Sequence, residues 1–458
     1  MIQTECNVEQ LTFQALGKRE VVGRFDGGQI TSDGGGMVLR EVERRTGILK
    51  QFARCFRDYR DPAKIEHTVG EMVSQRVMGL ALGYEDLNDH DQLRSDPLLV
   101  ALVERVDITR PLAGKSTLNR LELTSDVSGA DRYKKVVFDA DAIDALLVNV
   151  YVSSHTEAPQ QIVLDLDTTD DIIHGKQEGR FFHGYYGDYC YLPLYIFSGD
   201  HLLCARLREA NIDAAAGAVE EISRIVAQIR QTWPQVKIVI RADSGFSRDA
   251  IMSWCEDNGV DFILGLARNA RLEREIAEEL AAAKDESTRT GEPVRLFKDF
   301  RYKTLDSWSS ERRVVAKAEY LIDKANPRFV VTSLPGSEAE AQTLYESGYC
   351  GRGDMENRIK EQKTFLFAGR TSAATMRANQ LRLWFSSIAY LLMSALRRVG
   401  LKGTELASAQ CDTIRVKLFK IGARIRITAR KIWLSFSSSY PFVELLRCVC
   451  SNLANASP

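Results

Sequence analysis

The sequence predicts an α/β fold in which a mixed sheet is flanked by helices, with a mainly helical amino-terminal region before it and a β-rich insertion within it. Three observations carry this. Apolar residues recur at three- and four-residue steps in the first third of the chain. Period two takes over near residue 160, and strands then alternate with helices before a second group of strands.

The amino-terminal helices are read from "SDGGGMVLREVERRTGI" and "HTVGEMVSQRVMGLALG", each closing on a glycine-containing stop. From "QQIVLDLDTTD" onward the chain reads as strands: that segment, "YLPLYIFSG" and "HLLCARLREA", the last two joined as a hairpin through Gly199-Asp200. A helix over "DAAAGAVEEISRIVAQIRQTWP", the strand "VKIVIRADSGF", the helix "SRDAIMSWCEDNG" and the strand "DFILGLA" follow. Three strands, helix, strand, helix, strand is the ribonuclease-H-like layout. Further strands, "VRLFKDFRYKT", "RRVVAKAEYLI" and "RFVVTSL", precede a return to helix near residue 337. The expected organisation is a mainly helical amino-terminal domain (1–155), the first part of the core (156–267), the insertion (268–336), the second part of the core (337–400) and a basic carboxy-terminal region (401–458).

Composition bounds the function. The 458 residues are 45% hydrophobic and 27% charged, enough for a large buried core over two or three domains. No signal peptide is expected, and "LWFSSIAYLLMSAL" is too short to span a bilayer, so neither membrane nor secretion is expected. Nine scattered cysteines without a C-x-x-C pair imply reduced thiols and a cytoplasmic setting. The net charge of −1 hides a segregation: residues 352–431 hold 17 Lys/Arg against 5 Asp/Glu, whereas residues 1–351 hold 43 against 56. A polybasic surface of this kind suits the phosphate backbone of nucleic acid.

The acidic strand ends carry the chemistry. In "IVLDLDTTD" the pleat puts Val163, Asp165 and Asp167 on one face and Leu164 and Leu166 on the other, so one of the two aspartates is a candidate metal ligand. Asp243 ends the next long apolar strand, which sheet topology brings beside the first. Two carboxylates at one sheet edge repel unless a hard divalent cation lies between them. A third comes from "YCGRGDMENRIKEQK". Tyr349, Arg352, Glu356 and Lys363, at offsets 0, 3, 7 and 14, fall within about 60° of one helix face. Gly351 and Gly353 weaken the helix at its start, so Tyr349 is expected to precede the regular part. The bland alternative is a solvated Glu356 paired with Lys360.

The Y-x2-R-x3-E-x6-K stripe, together with "DLDTTD" and "RADSGF", resembles the DDE-type transposases of bacterial insertion sequences. Nearly the whole chain, from "YEDLNDHDQLRSDPLL" through "EGRFFHGYYGDYCYLPLY" to "RTSAATMRANQLRLWFS", is similar to the insertion-sequence family numbered thirteen-eighty. The resemblance implies an acidic triad of Asp167, Asp243 and Glu356. Asp167 is preferred to Asp165 because the family's first aspartate is followed by a hydroxyl residue, here Thr168. Two Mg2+ ions are implied, with Mn2+ as substitute. Tyr349, Arg352, Lys360 and Lys363 would face DNA.

Expected partners are the inverted-repeat ends and target DNA, bound by a homodimer in a synaptic complex at the bacterial nucleoid. The chemistry agrees with the residue types: three carboxylates can hold two ions for in-line phosphoryl displacement, and basic neighbours can clamp the phosphate. The 113 residues between Asp243 and Glu356 require a folded insertion. Within it Trp308 is a candidate to stack on an unpaired base; a turn or core tryptophan is the alternative.

Other motifs fail. "AGKST" around Lys115 lacks the first glycine of a phosphate-binding loop, and Ser244 lacks a nucleophile elbow. "EDLNDHD" is read as a capped helix junction rather than a second metal site. His174 and His183 are expected near the active-site end of the sheet. The remaining alternatives are a nuclease without strand transfer, a domesticated DNA-binding protein and a serine hydrolase.

Overall fold

The computed structural model describes residues 10–105, 107–123 and 133–456. The chain forms two compact units: residues 1–53, 60–121 and 392–458 make the first, and residues 54–59 and 122–391 the second.

In the first unit, the expected helices form at Met37–Thr46 and Val69–Leu82. Thr68 and Glu71 make a reciprocal capping box at the start of the second helix, and Gly83, at φ 99°, ends it. The "EDLNDHD" stretch is a capped junction: Asp86 caps a short turn over Leu87–Asp89, and Asp91 pairs with Lys115 at 3.3 Å. Two features lie outside the helical expectation. Gln10–Leu16 and Arg19–Arg24 form a hairpin. The carboxy-terminal strand Ala423–Ile427 pairs with Ile30–Thr31 on one side and Ile432–Phe436 on the other.

The boundaries drawn at 155 and 401 therefore need correction. The amino-terminal segment completes its sheet and core with the last 67 residues, and Ala140–Ser153 packs in the second unit. Gly34 donates its backbone N–H to Ile421 O at 2.9 Å. A Cβ on Gly35 would lie 1.7 Å from Leu418 O, so only glycine permits this approach.

The second unit is built on one mixed eight-stranded sheet. Its strands are β1 (Gln161–Thr168), β2 (Leu194–Ser198), β3 (His201–Arg206), β4 (Lys237–Ala242), β5 (Asp261–Leu266), β6 (Val294–Tyr302), β7 (Arg312–Tyr320) and β8 (Arg328–Thr332). The spatial order is β3-β2-β1-β4-β5-β8-β7-β6. β1 runs parallel to β4 and β4 to β5, and the other neighbours are antiparallel.

The second group of strands is thus no separate β domain. β8 pairs with the free edge of β5 and continues the sheet, because an apolar strand gains more by satisfying an open ladder than by starting another. Residues 268–336 still contain two helices, Ala270–Glu275 and Ala277–Thr290, before these strands.

Alternation along the strands sorts the two faces. Ile162, Leu164 and Leu166 of β1 and Ile238, Ile240 and Ala242 of β4 face a core closed by Ala140–Ser153, Ala218–Thr232 and Asp249–Asp257. Each such aliphatic side chain contributes about 1.5–3 kcal/mol on full burial. On the opposite face Val239, Ile263, Val315 and Val330 pack against Leu344 and Tyr345, with Val163 and Tyr349 at the margin. The carboxylates of β1 look to this second face. No helix among the described residues is long and apolar enough to cross a membrane.

Candidate active site

β1 and β4 lie side by side, with Arg241 opposite Asp165. The two aspartates of β1 have different partners. Asp165 is buried and receives both Nε (2.5 Å) and Nη2 (2.9 Å) of Arg241, whose Nη1 reaches Gly348 O at 2.6 Å. Asp167 turns to Arg352, whose Nη1 is 3.5 Å from Oδ2. Its other oxygen accepts from Thr168 N at 2.8 Å.

Asp243 follows β4 directly and caps the turn Ser244–Phe246 by accepting from Gly245 N at 2.8 Å. The strand-closing aspartate is therefore a cap residue whose charge also acts on Asp167, Tyr349 and Arg352.

The chain that brings Glu356 changes helical type twice. Leu344–Tyr349 is π-helical, Cys350–Arg352 is a 3-10 turn, and Gly353–Phe365 is α-helical. The uniform 100° spacing therefore does not hold from Tyr349 to Glu356, yet the side chains still meet: Arg352 Nη2 lies 2.8 Å from Glu356 Oε1. Two glycines give room. A Cβ on Gly351 would lie 2.6 Å from Arg241 Nη1, and one on Gly265 of β5 would lie 2.5 Å from the Tyr349 hydroxyl. Sequence reasoning passes over Gly265 and Arg241; the position of Arg241 two residues before Asp243 is the available signal for the latter.

Lys363 sits on a different part of the site. Its Nζ lies 3.0 Å from Thr169 Oγ1, contacts Asp170 O, and is 3.7 Å from the buried Asp171. It ties down the turn that leaves β1. Lys360 is exposed, and with Asp167, Thr168, Thr169, Glu356, Ile359, Lys363 and Thr364 it lines a cavity of about 290 Å³. Trp308 is 4% exposed and packs edge-on to Tyr302 with its ring centroid 5.8 Å away, so the core position is the one observed and no ring face is free for a base. His183 lies on a three-stranded sheet with Asp171–Ile172, at the end of β1 that carries Asp167.

Electrostatics mark the cluster. Burial raises the Asp167 carboxyl to about 6; the Arg352 guanidinium opposes that rise, and the charges of Asp243 and Glu356 add to it. Burial disfavours the Arg352 cation, and Asp167, Tyr349, Glu356 and Asp243 together more than compensate, raising its pKa. As placed, no three His, Cys, Asp or Glu side chains among the described residues form a ready cage for a metal ion. The donor chemistry nevertheless fits one. The charges of Asp243 and Glu356 raise the cost of ionising Asp167, and a guanidinium stands between Asp167 and Glu356 where a hard divalent cation would relieve the same repulsion.

No curated protein matches the chain. A solved structure to which it is similar is the piggyBac transposase synaptic complex with hairpin DNA, at 11% identity and TM-score 0.42, covering 93% of this chain and 86% of that one. The family model described as Transposase DDE domain group 1 matches residues 13–458. The chain accordingly belongs to that family and is a DNA transposase, an enzyme of metal-dependent DNA cleavage and transposition.

Proposed function

We propose that Asp167, Asp243 and Glu356 are the acidic triad of this transposase and hold two Mg2+ ions. The observation that carries the assignment is the sharing of one guanidinium, Arg352, by Asp167 and Glu356, with the charge of Asp243 acting on the same group. The strand order β3-β2-β1-β4-β5 supports reading the core as ribonuclease-H-like. The Y-R-E-K spacing supports placement in the insertion-sequence family numbered thirteen-eighty.

When bound, the metal pair supplies activation of the attacking oxygen and stabilisation of the leaving one. The chain's own residues do the rest. Asp167 and Glu356 would hold the metals, and Arg352, which pairs with both, would turn its fork to the phosphate oxygens, a bidentate role that lysine does not fill. Lys360, exposed at the cavity rim, contacts the backbone from the helix that carries Glu356. Lys363 orients the turn after Asp167 through Thr169 and Asp170, which makes it a positioning residue first. Tyr349 packs over Gly265 and holds the start of the helical segment against the sheet.

The substrates are the inverted-repeat ends of the element and a target duplex, brought together by a homodimer. The first unit reads the end sequence. Strand transfer follows when the freed 3′-hydroxyl attacks the target, and no covalent protein–DNA intermediate is needed. A nuclease without strand transfer differs only in product.

The test is single substitution in the full chain. Asp167→Asn, Asp243→Asn and Glu356→Gln should each abolish both cleavage and strand transfer in Mg2+, while affinity for end DNA in chelator is unchanged or slightly higher because a carboxylate that repels phosphate is gone. Normal cleavage by Glu356→Gln would remove Glu356 from the triad.

A further inference from the structure

The chain leaving Asp167 runs straight into an aromatic hairpin that the triad does not use. Asp171–Ile172 pairs with Asp188–Tyr191, and Phe181–His183 pairs with the same strand, giving a three-stranded sheet four residues past Asp167. Cys190 and Tyr191 anchor this sheet in the core. Its outer side is aromatic. Phe182 and Tyr189 are cross-strand partners with ring centroids 5.6 Å apart, 56% and 44% exposed. Tyr185, at the tip between Gly184 and Gly187, is 86% exposed. Apolar rings held this far into water are costly on a surface with no ligand to cover them.

A cation lies against the rings, and the exposed Asp188 begins the same strand. The Arg180 guanidinium lies 3.8 Å over the Tyr189 ring, and neither Arg180 nor Lys176 has an ion-pair partner among the described residues. Tyr186, at the base of the tip, lies close enough to the active site that the charges of Asp170 and Asp167 add to burial in raising its phenol. The sheet begins at Asp171, two residues past Thr169, which lines the cavity holding Asp167, Lys360 and Lys363.

We propose that the hairpin Phe181–Tyr191 is a stacking platform for unpaired nucleotides at the cut DNA end, with Tyr185 and the Phe182–Tyr189 pair meeting bases and Arg180 and Lys176 meeting the backbone. The proposal rests on the reading of Asp167 as an active-site ligand. Aromatic faces beside free cations match single-stranded nucleic acid, whose bases offer π-faces of any sequence and whose phosphates need neutralising. Trp308, the aromatic that the sequence puts forward for this task, is enclosed; these rings are open.

The experiment uses the full-length protein and a fluorescent duplex bearing the inverted repeat that borders the coding frame, either blunt or with an unpaired thymidine tail at the cut end. Binding is measured in chelator as a function of salt. Wild type should prefer the tailed end. The Phe182→Ala/Tyr185→Ala variant should lose about tenfold in affinity for the tailed end, with blunt-end affinity and salt slope unchanged. Phe182→Tyr/Tyr185→Phe should keep the preference, since the rings remain.

Equal affinity of wild type for tailed and blunt ends would overturn the platform, as would an alanine variant that keeps the full preference or that weakens on both ends alike. Loss of self-association in the alanine variant with tail preference intact would overturn it in favour of a second copy of the chain. Failure of wild type to distinguish the inverted repeat from scrambled duplex would instead overturn the transposase-end reading beneath it.

Discussion

At the scale of single residues, the decisive distinction is between two aspartates two positions apart on β1. Both face the same side, and the pleat alone leaves them equivalent. Their partners separate them: Asp165 is held in a bidentate pair with Arg241, whereas Asp167 shares Arg352 with Glu356. Removing Asp165 strands a buried guanidinium, which costs about 3–5 kcal/mol. Asp165→Ala should accordingly lower the unfolding free energy obtained from urea titration by an amount of that order, with a lower midpoint, and Asp165→Ala/Arg241→Met should recover most of it. Asp167→Ala should leave the midpoint unchanged or raised, because it removes a carboxyl whose ionisation burial already disfavours. Equal losses from the two substitutions would mean that Asp165 is no more structural than its neighbour.

At the scale of elements, charge count and charge availability diverge. Seven basic residues between Arg415 and Lys431 stand out in the sequence as a phosphate-binding stretch. Three are committed elsewhere. Arg415 donates to Ala81 O at 3.1 Å and Leu80 O at 3.3 Å, serving the last carbonyls of Val69–Leu82. Lys420 pairs with Asp33 at 2.5 Å, and Lys417 with Glu405 at 3.2 Å. Arg424, Arg426, Arg430 and Lys431 are exposed on the hairpin of Ala423–Ile427 and Ile432–Phe436, beside the half-exposed Trp433. Replacing these four by glutamine should flatten the log–log salt dependence of DNA affinity by about 0.9 for each phosphate that is no longer neutralised. Arg415→Gln should leave that slope alone and lower the thermal midpoint. A slope insensitive to the fourfold change would place the DNA on another surface.

At the scale of the whole molecule, the first unit is assembled from both ends of the chain. Residues 1–155, which the sequence presents as a domain, lack the strand that completes the sheet at Ile30–Thr31 and the carbonyls of Ala454 and Ala456 that receive Arg45. A fragment of residues 1–121 should therefore give little cooperative unfolding by circular dichroism, and co-expression with residues 392–458 should restore a sigmoidal transition. A cooperative transition in the fragment alone would show the carboxy-terminal segment to be dispensable.

Local periodicity is enough to identify most of the sheet. Strands β1, β2, β3, β4 and β5, the helices between them and the Gly199-Asp200 hairpin are written in patterns of two and 3.6 residues, because each element must present one apolar face to the core. Tyr191, which closes the short strand Asp188–Tyr191, reads in sequence as the start of β2, since the break falls at Pro193, whose missing N–H interrupts a ladder without altering the apolar run. Asp167, Asp243 and Glu356 are legible as residue types at telling positions. Which carboxylate is spoken for, which lysine is engaged, which tryptophan is enclosed and which strand edge receives the second group of strands are not. Those are questions of partner choice between residues far apart in the chain, 194 positions for Lys363 and Thr169, and the sequence by itself determines what each segment can offer. Only the tertiary structure decides which offer is taken, because ion pairing and ladder closure depend on distances that no local pattern encodes.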